Sequence, residues 1–202
     1  MFDPSAALSA AKLCQRAYSG PNVIADNTKA LVLRDPLRCA IAGTDIREPA
    51  DWLHDARLWG EDLGQGARVH RGFLAHYRAL WPSLGPMLTA RAIDAPPELS
   101  GHSLGAACAV LCVWHRPYLF KGSSVYLFGC PAVGNGNFAV MFDRLCRDNG
   151  ITVWNVQSRG DLVCIRALFR EHVGKTVEVG EGWDIRPDHP ITAYQRELEA
   201  MI

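Results

Sequence analysis

The chain has 202 residues, 49% of them apolar, and 21 Lys and Arg balance 21 Asp and Glu. That length builds one domain with a sizeable core and is too short for two large ones. The balanced charge argues against nucleic acid or an anionic membrane surface as a partner, and no apolar run is long enough to span a bilayer.

Residues Met1 to Leu8 lack a positively charged leader region, and the apolar positions that follow are interrupted by Ser9, Lys12, Gln15 and Arg16. This reads as a helix of the fold rather than a secretory signal, so the expected location is the cytoplasm, with export by a non-classical route left open. The helix covers Asp3 to Tyr18 and is stopped by Ser19-Gly20-Pro21-Asn22. Two extended stretches follow, Ala30 to Leu33 and Arg38 to Ala42, joined as a hairpin at Asp35-Pro36. The polar, tryptophan-bearing segment from Asp45 to Gly66 has no regular period. One helix is predicted from Gly72 to Leu80 and a second from Leu84 to Ala92. Later come a strand at Ser124–Phe128, a helix at Asn137–Asp148 capped by Asn149-Gly150, and a strand at Ile151–Val156. A short strand at Lys175–Val179 and a terminal helix at Ile191–Met201 complete the series. No repeat or linker divides the chain, so residues 1–202 are expected to form a single domain.

Between these lies Gly101-His102-Ser103-Leu104-Gly105, a Gly-x-Ser-x-Gly pentapeptide. Pro96 to Ser100 supply a short strand before it, and Ala106 to Trp114 a helix that is apolar on every face. In that context the pentapeptide is a strand-to-helix elbow that raises the Ser103 hydroxyl as a nucleophile. From the elbow onward strands alternate with helices, which predicts a mostly parallel α/β sheet covered on both faces and made mixed by the early hairpin.

A serine nucleophile needs a base, and the base a carboxylate, in the chain order serine, acid, histidine. Three histidines follow Ser103. His115 ends the elbow helix and is carried away, which leaves His172 and His189. Asp161, in Ser158-Arg159-Gly160-Asp161 just past a buried strand, is preferred as the acid. Asp143 and Asp148 fall on a solvated helix face and its cap, and Asp188 diverges from its neighbour His189. The Leu104 N–H, in the first turn of the elbow helix, is one donor for an oxyanion, and Thr44, in the loop Ala42-Gly43-Thr44-Asp45, is a second. The seven cysteines (14, 39, 108, 112, 130, 146 and 164) include no Cys-x-x-Cys pair and read as buried, reduced thiols rather than disulfides or metal ligands.

Four motifs then fall in a telling order: Ile41-Ala42-Gly43-Thr44, Val69-His70-Arg71-Gly72-Phe73-Leu74, the elbow itself, and Phe128-Gly129-Cys130-Pro131-Ala132-Val133-Gly134-Asn135. With Arg159 to Val163 and His189 followed by Tyr194, they resemble the class 3 lipases, the α/β-hydrolases that include the fungal triacylglycerol lipases. Two positions depart from that pattern: Ala42 stands where arginine is frequent, and Ala106 replaces a usual glycine. The resemblance implies an α/β-hydrolase fold with Ser103 as nucleophile, Asp161 as acid, His189 as base, and Thr44 and Leu104 as oxyanion donors. His189 is favoured over His172 because the family's histidine carries a tyrosine about a turn later. It further implies a lid within residues 45–66, where Asp51-Trp52-Leu53-His54-Asp55 resembles the family's Asn-Trp-x-x-Asp. There a short helix bearing Trp52, Leu53 and Trp59 either covers an acyl pocket or is tucked into the core. His70 and His102 are read as structural, the former orienting a loop and the latter packing at the elbow. The function implied is hydrolysis of lipid or other carboxylic esters through an acyl-enzyme, with no metal or organic cofactor and with transient contact at a lipid interface. The alternatives are a phospholipase A1-type activity and a non-catalytic lipase-like domain that binds acyl ligands or a partner.

Overall fold

The computed structural model describes residues 1–26, 28–43, 59–90, 95–161, 163, 171–180 and 189–202. Helix α1 (Pro4–Ser19) starts where its sequence directs. The Asp3 carboxylate accepts from the Ser5 and Ala6 N–H groups at 2.9 and 3.2 Å, Pro4 occupies the first turn, and Gly20 closes the end. Its inward residues are Ala7, Ala10, Ala11, Leu13, Cys14 and Ala17, mostly short side chains that let the helix lie close on a sheet.

Strands β1 (Val23–Ala25), β2 (Thr28–Arg34) and β3 (Leu37–Ala42) run antiparallel. The β2–β3 hairpin turns at Asp35-Pro36, where the peptide bond is cis. β1, at three residues, is too short to show as a sequence period. Strands β4 (Trp59–Asp62) and β5 (Arg68–His70) form a separate two-stranded ribbon, bridged to the body between Val69 and Gly134. Trp59, expected on a lid helix, instead begins β4, because backbone pairing with β5 takes over at that residue. Trp52 and Leu53, like most of the 45–66 segment, lie outside the described residues.

Helix α2 (Arg71–Thr89) replaces the two helices expected on either side of Pro82. Pro82 and Pro86 sit four residues apart on its exposed side, while Leu80, Leu84 and Leu88 repeat at the same spacing on the buried side. The leucine stripe against the core outweighs two missing N–H donors on a water-facing row.

The remaining strands and α-helices among the described residues are β6 (Glu98–His102), α3 (Leu104–His115), β7 (Ser124–Phe128), α4 (Gly136–Asp148), β8 (Thr152–Ser158), β9 (Lys175–Val179) and α5 (Ile191–Glu199). The main sheet is ordered β1-β2-β3-β6-β7-β8-β9, with every pairing from β3 onward parallel. Residues alternate along each strand between two cores. Leu31, Ala40, Tyr126, Phe128 and Val156 face α1 and α5, whereas Val32, Ile41, Leu99, Val125, Leu127 and Val153 face α2, α3 and α4. The result is a sheet sandwiched between two helical layers. Among the described residues no helix is long and apolar enough to cross a membrane.

Two smaller expectations change. Asp143, expected in solvent, accepts from the Gly174 N–H at 2.8 Å and so ties α4 to the start of β9. The six described cysteines are free and buried, and burial pushes the Cys14, Cys108 and Cys146 thiols up to about 12; Cys164 lies outside the described residues.

Candidate active site

The strand register sets the site. Ala42 pairs with His102, His102 with Phe128, and Phe128 with Val156, so β3, β6 and β7 end in line and β8 runs two residues further, to Ser158. The loops that follow them open at one edge of the sheet, where parallel α/β folds gather functional groups. Ser103 lies there, between β6 and α3, with φ 57° and ψ −127°. A non-glycine residue in that region is strained, and its neighbours hold it. The Ser103 N–H donates to the Phe128 carbonyl at 3.0 Å, and the Ser103 carbonyl accepts from Ala106 at 2.9 Å. The flanking glycines allow the close passage of strand and helix. A Cβ on Gly101 would lie 2.6 Å from the Ala106 Cα, and one on Gly105 would overlap the Ile41 carbonyl.

Asp161 lies just past β8 and is fully buried. Its Oδ2 is 2.8 Å from His189 Nδ1 and accepts the Tyr194 hydroxyl at 2.6 Å, while its Oδ1 accepts the Val163 N–H at 2.8 Å. Burial by itself would raise this carboxyl, but the bonds from His189, Tyr194 and Val163 outweigh it and hold Asp161 below the usual range. An ionised carboxylate only accepts, so His189 carries its proton on Nδ1 and leaves Nε2 as a lone pair. That Nε2 stands 2.7 Å from Ser103 Oγ, whose hydroxyl therefore donates to it. The line runs from a carboxylate with no exposure, through an imidazole side chain 19% exposed, to the serine. This arrangement can take a proton from a hydroxyl as it attacks an electrophilic carbon.

The two histidines left open by sequence logic are thus separated: His189 reaches Ser103, and His172 makes none of these contacts. His115 ends α3 and stacks on Tyr77 at 4.9 Å. The Leu104 N–H opens α3 and has no intrahelical acceptor by geometry. Gly43 packs beside it, since a Cβ there would lie 3.1 Å from the Leu104 nitrogen. Thr44, the other expected donor, falls outside the described residues. His70 is fully buried against Phe73 at 4.4 Å. His102 does more than pack. Its Nε2 donates to the His189 carbonyl at 2.7 Å, and its Nδ1 lies 2.6 Å from the Tyr18 hydroxyl. Neither Tyr18 nor the Tyr194–Asp161 bond was assigned from sequence. Tyr194 carried only its spacing from His189, and Tyr18, at the far end of the chain, carried no signal.

Comparisons with known proteins bear on the family and the fold. Residues 39–169 match the family described as lipase (class 3). A secreted mono- and diacylglycerol lipase of Malassezia globosa is 29% identical over 156 residues, covering 71% of this chain and 51% of that protein. A second secreted mono- and diacylglycerol lipase of that organism is 31% identical over 168 residues, covering 73% of this chain and 54% of that protein. The chain therefore spans about half the length of the curated relatives it matches. The solved lipase from Rhizopus microsporus var. chinensis superposes with a TM-score of 0.66 over 89% of this chain and 73% of its own, at 24% identity, which places the fold among the α/β-hydrolases. The secreted relatives overturn the cytoplasmic location expected from the first residues. Packing of α1 into the fold reports on the folded domain and carries no information about its compartment. With a family match across most of the sheet and a relative above 30% identity, this chain belongs to the class 3 lipases.

Proposed function

We propose that the protein is a serine carboxylic ester hydrolase acting on acylglycerol-type lipid esters outside the cell. The observation that carries this reading is the unbroken line from Asp161 through His189 to Ser103, with bonds of 2.8 and 2.7 Å. In the first step Ser103 Oγ attacks the ester carbonyl while its proton passes to His189 Nε2. Asp161, held as a carboxylate, keeps the imidazole in the required tautomer and stabilises its cation. The carbonyl oxygen gains charge and is met by the Leu104 N–H, with Thr44 as the second donor. Collapse breaks the bond to the alcohol oxygen, which takes the proton back from His189 and leaves an acyl-Ser103. A water then repeats the sequence in the same geometry and releases the fatty acid. The names of the two Malassezia globosa relatives support mono- and diacylglycerols as substrates and secretion as the route. Trp52, Leu53 and Trp59 belong to the segment that would meet the acyl chain at an interface.

The test is fatty-acid release from emulsified mono-, di- and triacylglycerols and from phosphatidylcholine, alongside labelling by a fluorophosphonate. Wild type should label and release fatty acid from acylglycerols, and Ser103→Ala should lose about 10⁴-fold or more in kcat. Equal rates in the two proteins would sink the reading. Faster release from phosphatidylcholine would replace it with a phospholipase A1-type activity, and a folded protein that binds fatty acid without labelling would favour an acyl-binding domain.

A further inference from the structure

The hydrogen bonds around His102 form a circuit that the reaction scheme leaves unused. His102 ends β6 next to Ser103 in the chain and is 3% exposed. Its Nε2 faces the His189 carbonyl at 2.7 Å and its Nδ1 faces the Tyr18 hydroxyl at 2.6 Å. A carbonyl only accepts, so Nε2 bears the proton, Nδ1 is a lone pair, and the Tyr18 hydroxyl donates. Partners at both ends thus select one tautomer of a ring that lies 5.0 Å from the His189 ring.

The circuit closes on itself. It passes from Ser103 Oγ to His189 Nε2, along the His189 side chain to its own carbonyl, across to His102 Nε2, and back along the chain to Ser103. His189 belongs to neither a strand nor a helix, so no ladder sets its backbone. Its ring is held by Asp161 and Ser103, whereas its carbonyl is held by the residue that precedes the serine. Tyr18, near the end of α1, steadies that residue from the opposite side. Burial, reinforced by the nearby His189, pushes His102 down to about 3. It therefore stays neutral when His189 takes up a proton, and the circuit adds no charge beside the cation.

We propose that His102 and Tyr18 are positioning residues, which clamp the His189 backbone to the elbow and so set the separation of its Nε2 from Ser103 Oγ. This rests on the ester-hydrolase reading above. The contribution is to the chemical step and not to lipid binding, because a displacement of the base by about 1 Å costs up to about 100-fold in rate.

Steady-state hydrolysis of a soluble p-nitrophenyl ester and the second-order rate of fluorophosphonate labelling test it on wild type, His102→Leu, His102→Gln and Tyr18→Phe, each checked by melting temperature. The Gln side-chain amide reaches the position of the histidine Nε2–H, and it cannot ionise. His102→Leu should lose about 10- to 100-fold in kcat and in labelling rate with KM unchanged. His102→Gln should recover most of that loss, and Tyr18→Phe, which keeps the fold's apolar contacts, should lose kcat by a smaller factor. Overturning results are wild-type kcat and labelling in folded Tyr18→Phe and His102→Leu, or His102→Gln no better than His102→Leu at equal melting temperature. If wild type itself neither labels nor hydrolyses the ester, the parent reading fails and the clamp with it. If wild type is active and the variants match it, the clamp alone fails.

Discussion

Removing one hydroxyl, in Tyr194→Phe, probes the electrostatics of the buried carboxylate, with a longer 3.5 Å bond from the Ser158 N–H lost beside it. Among the described residues, donors to Asp161 stand at 2.8 Å in His189, 2.6 Å in Tyr194 and 2.8 Å in the Val163 N–H, and it has no solvent exposure. The phenylalanine ring fills the same apolar space but withdraws the shortest of the three bonds. A hydrogen bond to a buried charged group contributes about 1.5–3 kcal/mol, so the loss should be about 2 kcal/mol. In a domain of this size that lowers Tm by about 4–8 °C. The pH dependence tests the cause. Because Asp161 is held below its ordinary value, its stabilising contribution is complete above the unfolded value near about 4 and is lost as pH falls through the folded one. In Tyr194→Phe the folded value rises towards the unfolded value, so the variant has less of this contribution to lose. The gap in Tm should therefore be widest at pH 6–8 and should close as pH is lowered below about 4. Calorimetric melts of both proteins from pH 3 to pH 8 measure it. Equal Tm at pH 7, or a gap that persists undiminished at pH 3, would refute the assignment of Tyr194 to the carboxylate's charge.

Two further substitutions probe the surroundings of the site. Gly129 has φ +56°, and a Cβ there would lie 3.0 Å from Asp161 Oδ2, 3.1 Å from the Tyr194 hydroxyl oxygen and 3.2 Å from His189 Cε1. Gly129→Ala should strain the backbone by about 1–2 kcal/mol and displace the imidazole enough to cost about tenfold or more in kcat; wild-type kcat in that variant would show that the site absorbs the methyl group. Asn135 caps α4 by accepting from the Phe138 N–H at 3.0 Å, and it also accepts from the Arg68 N–H at 3.1 Å and donates to the Gly66 carbonyl at 2.9 Å. Asn135→Ala should therefore cost about 2–3 kcal/mol in urea unfolding, and a loss equal to that of an isolated cap, about 1 kcal/mol, would mean that the tie to β5 contributes nothing.

Local chemistry made much of the fold readable. Asp3, Pro4 and Gly20 bracket α1, short apolar runs mark β3 and β7, and Asn149-Gly150 ends α4 in the expected place. Local signals misled where tertiary packing overrode them. Pro82 reads as a break, yet the leucines at 80, 84 and 88 carry the helix across it because their shared face is buried. Trp59 reads with the residues before it, yet it pairs with His70 in β4. Asp143 reads as a solvated helix residue, yet it meets a backbone donor 31 residues away.

The candidate site divides in the same way. The elbow is legible because its constraints are local: Ser103 needs a tight turn, and the glycines on either side admit the helix beside the strand. Residue types and chain order pointed to Asp161 as the proposed acid, and the choice of His189 over His172 as the proposed base needed the family resemblance. Only the folded chain brings the Ser103 hydroxyl to His189, 86 residues away, or the Tyr18 hydroxyl to His102, 84 residues away. Sequence alone determined where the tight serine turn lies, since the backbone that presents the Ser103 hydroxyl is built from its immediate neighbours. Tertiary structure decided which histidine meets that hydroxyl and what steadies it, because those contacts join strand ends and helices whose separation is set by sheet register and core packing.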